Sequence, residues 1–220
     1  MAGIIDLSHT IDSGMPIYLG DPEVRLAASA QDDPWRVLSL ALGSHSGTHI
    51  DAARHYLREG RTIDDYPIGR FVVPGVVARV GGVADQEIGG AALTDALALA
   101  PPGGAVLLET DWDRHWGDQA MLRHPFLGVE ACERLVAAGV TLVATDAFSV
   151  DSSTQGTTHA HEILLGHDVL IVENLTNLAV LDAGQVLRCA FVPLKLAAGD
   201  GSPIRAYAWT SDDDEVTAGS

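Results

Sequence analysis

Three short, densely apolar runs constrain the fold most: Ala105 to Thr110, Thr141 to Thr145 and Val169 to Val172. Each is too short for a core helix and has the pattern of a strand buried within a sheet. Helical patterns fall before and between them. Ala91 to Ala100 is rich in alanine and leucine and stops at Pro101-Pro102-Gly103-Gly104. Gly128 to Ala138 carries apolar residues at helical spacing and stops at Gly139. Thr158 to Leu165 is short and amphipathic, with Gly166 as its expected C-cap. Further strand-like runs lie at Ile4 to Ile11, Trp35 to Ala41, Phe71 to Val80 (interrupted by Pro74 and Gly75), Val186 to Leu194 and Ile204 to Trp209. Strands outnumber helices, and the two alternate mainly in the middle of the chain. The expected fold is a single mixed α/β domain over residues 1–210 with parallel and antiparallel strands. Residues 211–220 are polar, small and acidic, and read as a flexible tail.

The 220 residues suffice for one sizeable core, and the formal charge is -17. Phosphate backbones and anionic lipid both require a basic footprint, so neither nucleic acid nor a membrane is an expected partner. No apolar window is long enough to span a bilayer, and Met1 to Asp6 carries no signal-peptide pattern, so a cytoplasmic location is expected. Cys132, in a helical pattern, and Cys189, in an apolar strand, read as small buried hydrophobes and not as a disulfide.

The chemistry is concentrated in His45-Ser46-Gly47-Thr48-His49-Ile50-Asp51-Ala52-Ala53-Arg54-His55, which holds three of the nine histidines. Neutral imidazole nitrogens and a carboxylate oxygen suit zinc or manganese. In an extended chain His45, His49 and Asp51 share a face, and Ser46-Gly47-Thr48 favours a turn between a strand and a short helix. Gly47 would let the backbone approach the metal. His55 then lies one turn beyond Asp51, beside the metal without necessarily binding it.

A second cluster, Thr157-Thr158-His159-Ala160-His161-Glu162 with His167, Asp168 and Glu173 beyond it, spans a helix start and the end of the next strand. Those two places can lie close in space. Glu162 reads first as a helix N-terminal charge, and His159, His167 and Asp168 as solvated residues; spacing alone does not choose between His159 and His161 as a ligand.

These residues resemble the cyclase family of metal-dependent hydrolases, which includes bacterial kynurenine formamidases and isatin hydrolases. The family pattern His-x-Gly-Thr-His-x-Asp-x-Pro-x-His stands here as His45, Gly47, Thr48, His49, Asp51 and His55, with Ala53 in place of proline. Supporting matches are Asp6-Leu-Ser-His, Met15 to Pro22, Asp146-Ala-Phe-Ser-Val-Asp151, His161-Glu-Ile-Leu-Leu, Val172-Glu173-Asn-Leu, Val192-Pro-Leu-Lys-Leu and Ser202-Pro-Ile-Arg-Ala206. The resemblance implies a swivelling β/β/α fold and one or two divalent ions per chain, zinc or manganese. It implies that His45, His49 and Asp51 hold one metal, and that Asp51 bridges to a second held by His161 and Glu173. His55 is implied as general acid/base, and a homodimer or homotetramer as the assembly. Tyr18 stands where formamidases place a substrate-contacting tryptophan, and Asp111 stands where the family often has glycine. Aromatic residues are few, and Tyr18 and Trp112 are the expected substrate contacts.

The implied activity is hydrolysis of the C–N bond of a small, aromatic amide or lactam by metal-activated water. No Gly-x-Ser-x-Gly elbow is present, and none is needed. The alternatives are a lyase or cyclase step on a small carbonyl substrate, and a non-catalytic metal-binding protein of the same fold.

Overall fold

The computed structural model describes residues 3–28 and 35–210, so the expected tail at 211–220 lies outside the described residues. Among the described residues, twelve strands and three α-helices are formed. The strands are β1 (Ile5–Asp6), β2 (Arg25–Ala28), β3 (Leu38–Ala41), β4 (His49–Asp51), β5 (Val72–Arg79), β6 (Glu87–Ile88), β7 (Ala105–Glu109), β8 (Phe126–Leu127), β9 (Leu142–Thr145), β10 (Leu170–Glu173), β11 (Leu187–Pro193) and β12 (Gly201–Thr210). The helices are α1 (Thr94–Leu99), α2 (Val129–Ala137) and α3 (His159–Gly166).

Eight strands form one sheet in the order β1-β12-β11-β5-β7-β9-β10-β4, and β4 pairs again with β12. That last pairing closes seven of them into a barrel, with β1 attached outside the ring. The strands β5, β7, β9 and β10 are mutually parallel, whereas β11 and β4 run against their neighbours. The mixed α/β architecture expected from the sequence is the one observed.

The parallel strands are apolar on both faces because both faces are covered. Leu107, Leu142, Ala144, Leu170 and Val172 join Phe191, Ala206 and Ala208 in a core enclosed by the sheet. Their immediate neighbours Val106, Leu108, Val143 and Ile171 point the other way and pack with Leu135 of α2 and Leu164 of α3. Cys132 and Cys189 are buried free thiols, one in each core, where burial pushes both up to about 12.

Several boundaries differ from the sequence reading. The first strand ends at Asp6, because the Ser8 hydroxyl accepts from the Ala206 N–H of β12 (2.7 Å) while the Ser8 backbone bridges Leu175. The run from Trp35 is a strand only over Leu38–Ala41, paired with β2 in a two-stranded ribbon. Gly166 is the last residue of α3 and not its left-handed cap; that conformation falls on Asp168 (φ 58°). Asp168 is held there by Tyr66 Oη–H (2.7 Å) and Arg70 Nη1–H (3.0 Å), which donate to its carboxylate.

Candidate metal centre

The site is built around β4, which lies between β10 and β12. In the β4–β10 register His49 stands opposite Glu173, and Asp51 opposite Ile171. The two-residue period puts His49 and Asp51 on one face with Glu173, while Ile50 points into the barrel core. A turn precedes β4. Gly47 occupies it at φ +67°, and its carbonyl accepts from His49 Nδ1 (2.8 Å) and Asn174 Nδ2 (3.2 Å). Gly47 therefore shapes the turn and orients a histidine through its carbonyl. His45 enters from before the turn. At Gly201 of β12 a Cβ would lie 2.8 Å from His45 Cε1, so only glycine lets this strand pass the ring.

The two oxygens of Asp51 face different partners. Oδ1 lies 2.7 Å from His45 Nδ1 and 3.4 Å from His49 Nε2. Oδ2 lies 3.6 Å from His161 Nε2, is buried, and has no hydrogen-bond partner. Glu173 completes the circuit, with Oε1 3.4 Å from His161 Nε2 and Oε2 3.5 Å from His49 Nε2. The α3 start places His161 here: its backbone N–H and Nδ1–H both donate to Asp151 Oδ2, at 2.9 and 2.8 Å. His159 is turned away, with Nε2–H donating to Leu127 O at 2.7 Å. Of the two rings that spacing left open, His161 directs Nε2 at Asp51 and Glu173, and His159 does not.

Two buried rings, His49 and His161, commit Nδ1–H to an acceptor and aim Nε2 at shared carboxylates. That is the arrangement by which outer partners orient metal-ligating imidazoles. An orphaned buried carboxylate oxygen between them costs free energy unless a cation or proton compensates it. The residues present fit a divalent cation on both counts. His45, His49 and Asp51 offer ligand atoms within 4.8 Å of one another, as do Asp51, His55 and His161.

Electrostatics tie the cluster together. Burial resists ionisation of Asp51, but the neighbouring His49 and His45 outweigh it and hold the carboxyl well below the usual range. Burial likewise opposes a charge on His161, yet the Asp151 and Asp51 carboxylates raise it to about 10. Burial lowers His55, with Asp51 only partly opposing, so this ring is neutral near pH 7. His55 follows β4 directly on a 3-10 turn, Ala53–His55, and its ring centroid lies 3.9 Å from that of His45 and 5.7 Å from that of His161.

The cluster floors a cavity of about 310 Å³, also lined by Tyr18, Tyr56, Phe148 and Ser149. Tyr18 stacks over Phe148 at 6.1 Å between centroids, and Tyr56 over His161 at 4.6 Å. Trp112 does not line this cavity. It is buried elsewhere because its indole N–H donates to the Ala120 and Met121 carbonyls, and its ring packs on His115. The adjacent Asp111 adopts φ 60°, a conformation glycine favours, and its N–H donates to Asp146 Oδ2 at 2.9 Å.

Two acidic residues went unassigned in the sequence. Asp151 lies in the Asp146 to Asp151 turn, ten residues before His161, but only the fold brings it to that ring. Asp200 Oδ2 stands 3.2 Å from His45 Nε2 and 3.8 Å from His55 Nδ1. Its only signal was an acidic residue flanked by glycines before the last strand.

Known proteins share this chain's sequence and fold. The Cyclase family model matches residues 5–152, more than half of the chain. Kynurenine formamidase of Maricaulis maris is 31% identical over 213 residues, covering 94% of this chain and 97% of that protein. Kynurenine formamidase of Salinibacter ruber is 32% identical over 214 residues, covering 92% and 95%. The crystal structure of an isatin hydrolase bound to the product analogue thioisatinate superposes with a TM-score of 0.85 at 24% identity, covering 93% of this chain and 91% of that one. The matched span contains the whole His45 to His55 run, and the chain belongs to the Cyclase family.

Proposed function

We propose that this protein is a metal-dependent amidohydrolase that cleaves the C–N bond of a small, aromatic amide or lactam. The observation that carries the reading is the Asp51 carboxylate, buried, with one oxygen facing His45 and His49 and the other, unpaired, facing His161. His45, His49 and Asp51 would hold one divalent cation, and Asp51, His161 and Glu173 a second. A bound divalent cation lowers the pKa of a coordinated water to about 7 and polarises a carbonyl oxygen. Zinc and manganese both accept this nitrogen and oxygen set.

The chain's own residues supply the rest. His55, neutral and half-buried in the cavity wall, takes the proton of the attacking water and returns it to the departing nitrogen. Asp200 lies on the far side of His45 and His55 and faces both rings with negative charge. Tyr18 and Phe148 form a stacked aromatic wall beside the cluster, which suits a flat ring. The substrate class follows that wall and the names of the relatives.

No described helix is long and apolar enough to cross a membrane. We place the enzyme in the cytoplasm as a homodimer or homotetramer. The ribbon β2–β3 supports assembly, since both its strands are largely exposed and Leu38 and Leu40 face solvent.

Product analysis in isotopically labelled water tests the reaction. One solvent oxygen enters the carboxylate product for each turnover of an aromatic amide. A lyase or cyclisation step incorporates none, and that result would overturn the hydrolytic reading.

A further inference from the structure

Four aliphatic hydroxyls line the cavity, on Ser149, Ser152, Ser153 and Thr157. Three are occupied in both directions by the protein. Ser149 Oγ–H donates to Glu173 Oε1 (3.0 Å) and accepts from the Asp151 N–H (3.2 Å). Thr157 Oγ1–H donates to Asp151 Oδ1 (2.9 Å) and accepts from the Ser152 N–H (2.8 Å). Ser152 Oγ shares a hydrogen with Thr154 Oγ1 (3.3 Å) and accepts from the Gln155 N–H (3.2 Å).

Ser153 differs. Its one side-chain partner among the described residues is His124 Nε2, at 2.8 Å. His124 is 1% exposed, and its Nδ1 lies 3.0 Å from the Pro125 carbonyl. A carbonyl only accepts, so the hydrogen sits on Nδ1. Burial keeps the ring neutral, which leaves Nε2 as a bare acceptor. The Ser153 hydroxyl hydrogen is therefore committed to His124. Among the described residues no donor reaches Ser153 Oγ, so in this cavity-lining residue its lone pairs have no protein partner. The same His124 ring lies 6.5 Å from Phe148, which stacks with Tyr18. The acceptor thus lines the same cavity as the aromatic wall and is held by a ring that neighbours it.

We propose that Ser153, locked by His124 as a hydrogen-bond acceptor, selects aromatic substrates that carry an N–H or O–H donor on the ring. The proposal rests on the amidohydrolase reading for the direction in which a substrate enters. Ser153 is the specificity-determining contact, and His124 is a positioning residue that acts through it. A serine free to rotate would accept from a donor or donate to an acceptor with similar ease. The locked one discriminates between them.

The test is calorimetric binding to the metal-loaded protein, with the three ring-positional aminobenzoates and the matching methylbenzoates as probes. Each twin carries the same carboxylate for the cations, amino and methyl groups are close in size, and the Ser153→Ala variant controls for their difference in polarity. The wild-type protein binds at least one aminobenzoate about 5- to 10-fold tighter than its methyl twin, the range of one neutral hydrogen bond. Ser153→Ala binds the twins within about twofold of each other. His124→Gln, whose amide oxygen accepts the same hydrogen, keeps the preference, and His124→Leu loses it. Equal or undetectable binding of every twin pair by the wild-type protein overturns the proposal, as does a preference that survives in Ser153→Ala. Labelled-water analysis reports on hydrolysis independently. A donor preference without solvent-oxygen incorporation would remove the amidohydrolase reading and leave this subsite standing.

Discussion

Asp51→Ala strips the purified protein of metal at both positions and reduces hydrolysis to the level of chelator-treated wild type. The expectation is this severe because one carboxylate serves both halves of the cluster. Its Oδ1 faces His45 and His49, and its Oδ2 faces His161. Removing it leaves the three nitrogens of His45, His49 and His161 with Glu173 alone, which reaches only the last two. The same change costs about 3–5 kcal/mol of stability in the metal-free protein, the usual effect of breaking a buried charged set by deleting one partner. The acid dependence carries the sign of a depressed carboxyl. Asp51 contributes stability above its unfolded value of about 4 and loses it as pH falls through the lower folded value. Glu173→Ala, by contrast, releases chiefly the metal on the His161 side, because His45, His49 and Asp51 remain. Metal analysis, with thermal unfolding as a folding control, checks both variants. Full metal occupancy in Asp51→Ala contradicts the bridging role.

His55→Ala retains its metal and loses turnover by ~10²–10⁴-fold, the range that a positioned general acid or base supplies. The pairing of those two readouts matters. His55 lies near enough to Asp51 and His161 to serve as a ligand. Two observations favour proton transfer instead. Its Nδ1 faces Asp200 Oδ2 at 3.8 Å, whereas His45, His49 and His161 approach the Asp51 oxygens at 2.7, 3.4 and 3.6 Å. It also follows β4 on a separate turn and borders the open cavity, as a group that must reach substrate does. Loss of metal together with activity in His55→Ala would make it a ligand. Retention of near-full turnover would remove it from the mechanism.

Much of the fold was readable because burial leaves a compositional trace. Ala105–Glu109, Leu142–Thr145 and Leu170–Glu173 are apolar on both faces since a barrel core lies on one side and helices on the other. Strands without that trace were missed. The ribbon strand Arg25–Ala28 is largely exposed, and Glu87–Ile88 and Phe126–Leu127 are two-residue pairings specified only by each other. The strand His49–Asp51 was visible as candidate ligands on one face, and its place between two antiparallel neighbours came from tertiary pairing.

The site divides in the same way. His45, His49, Asp51 and His55 share one short run, so local spacing could group them. The choice between His161 and His159 depends on Asp151 and on the Leu127 carbonyl, partners that no spacing rule supplies. Asp200 and His124 reach the cavity region from distant parts of the chain, through His45 and Ser153 respectively. Trp112 misled because an indole ring is equally suited to a cavity wall and to a buried niche, and two backbone carbonyls hold it in the niche.

Metal add-back to chelator-stripped protein, with hydrolysis of an aromatic amide followed at each addition, tests the central claim most directly. Stripped protein turns over no substrate, and activity returns in proportion to bound zinc or manganese. The apparent affinity for the ion on the His161 side rises with pH below about 10, because that ion must displace the proton that His161 otherwise retains. Full turnover by metal-free protein, or bound metal that restores none, would contradict the account.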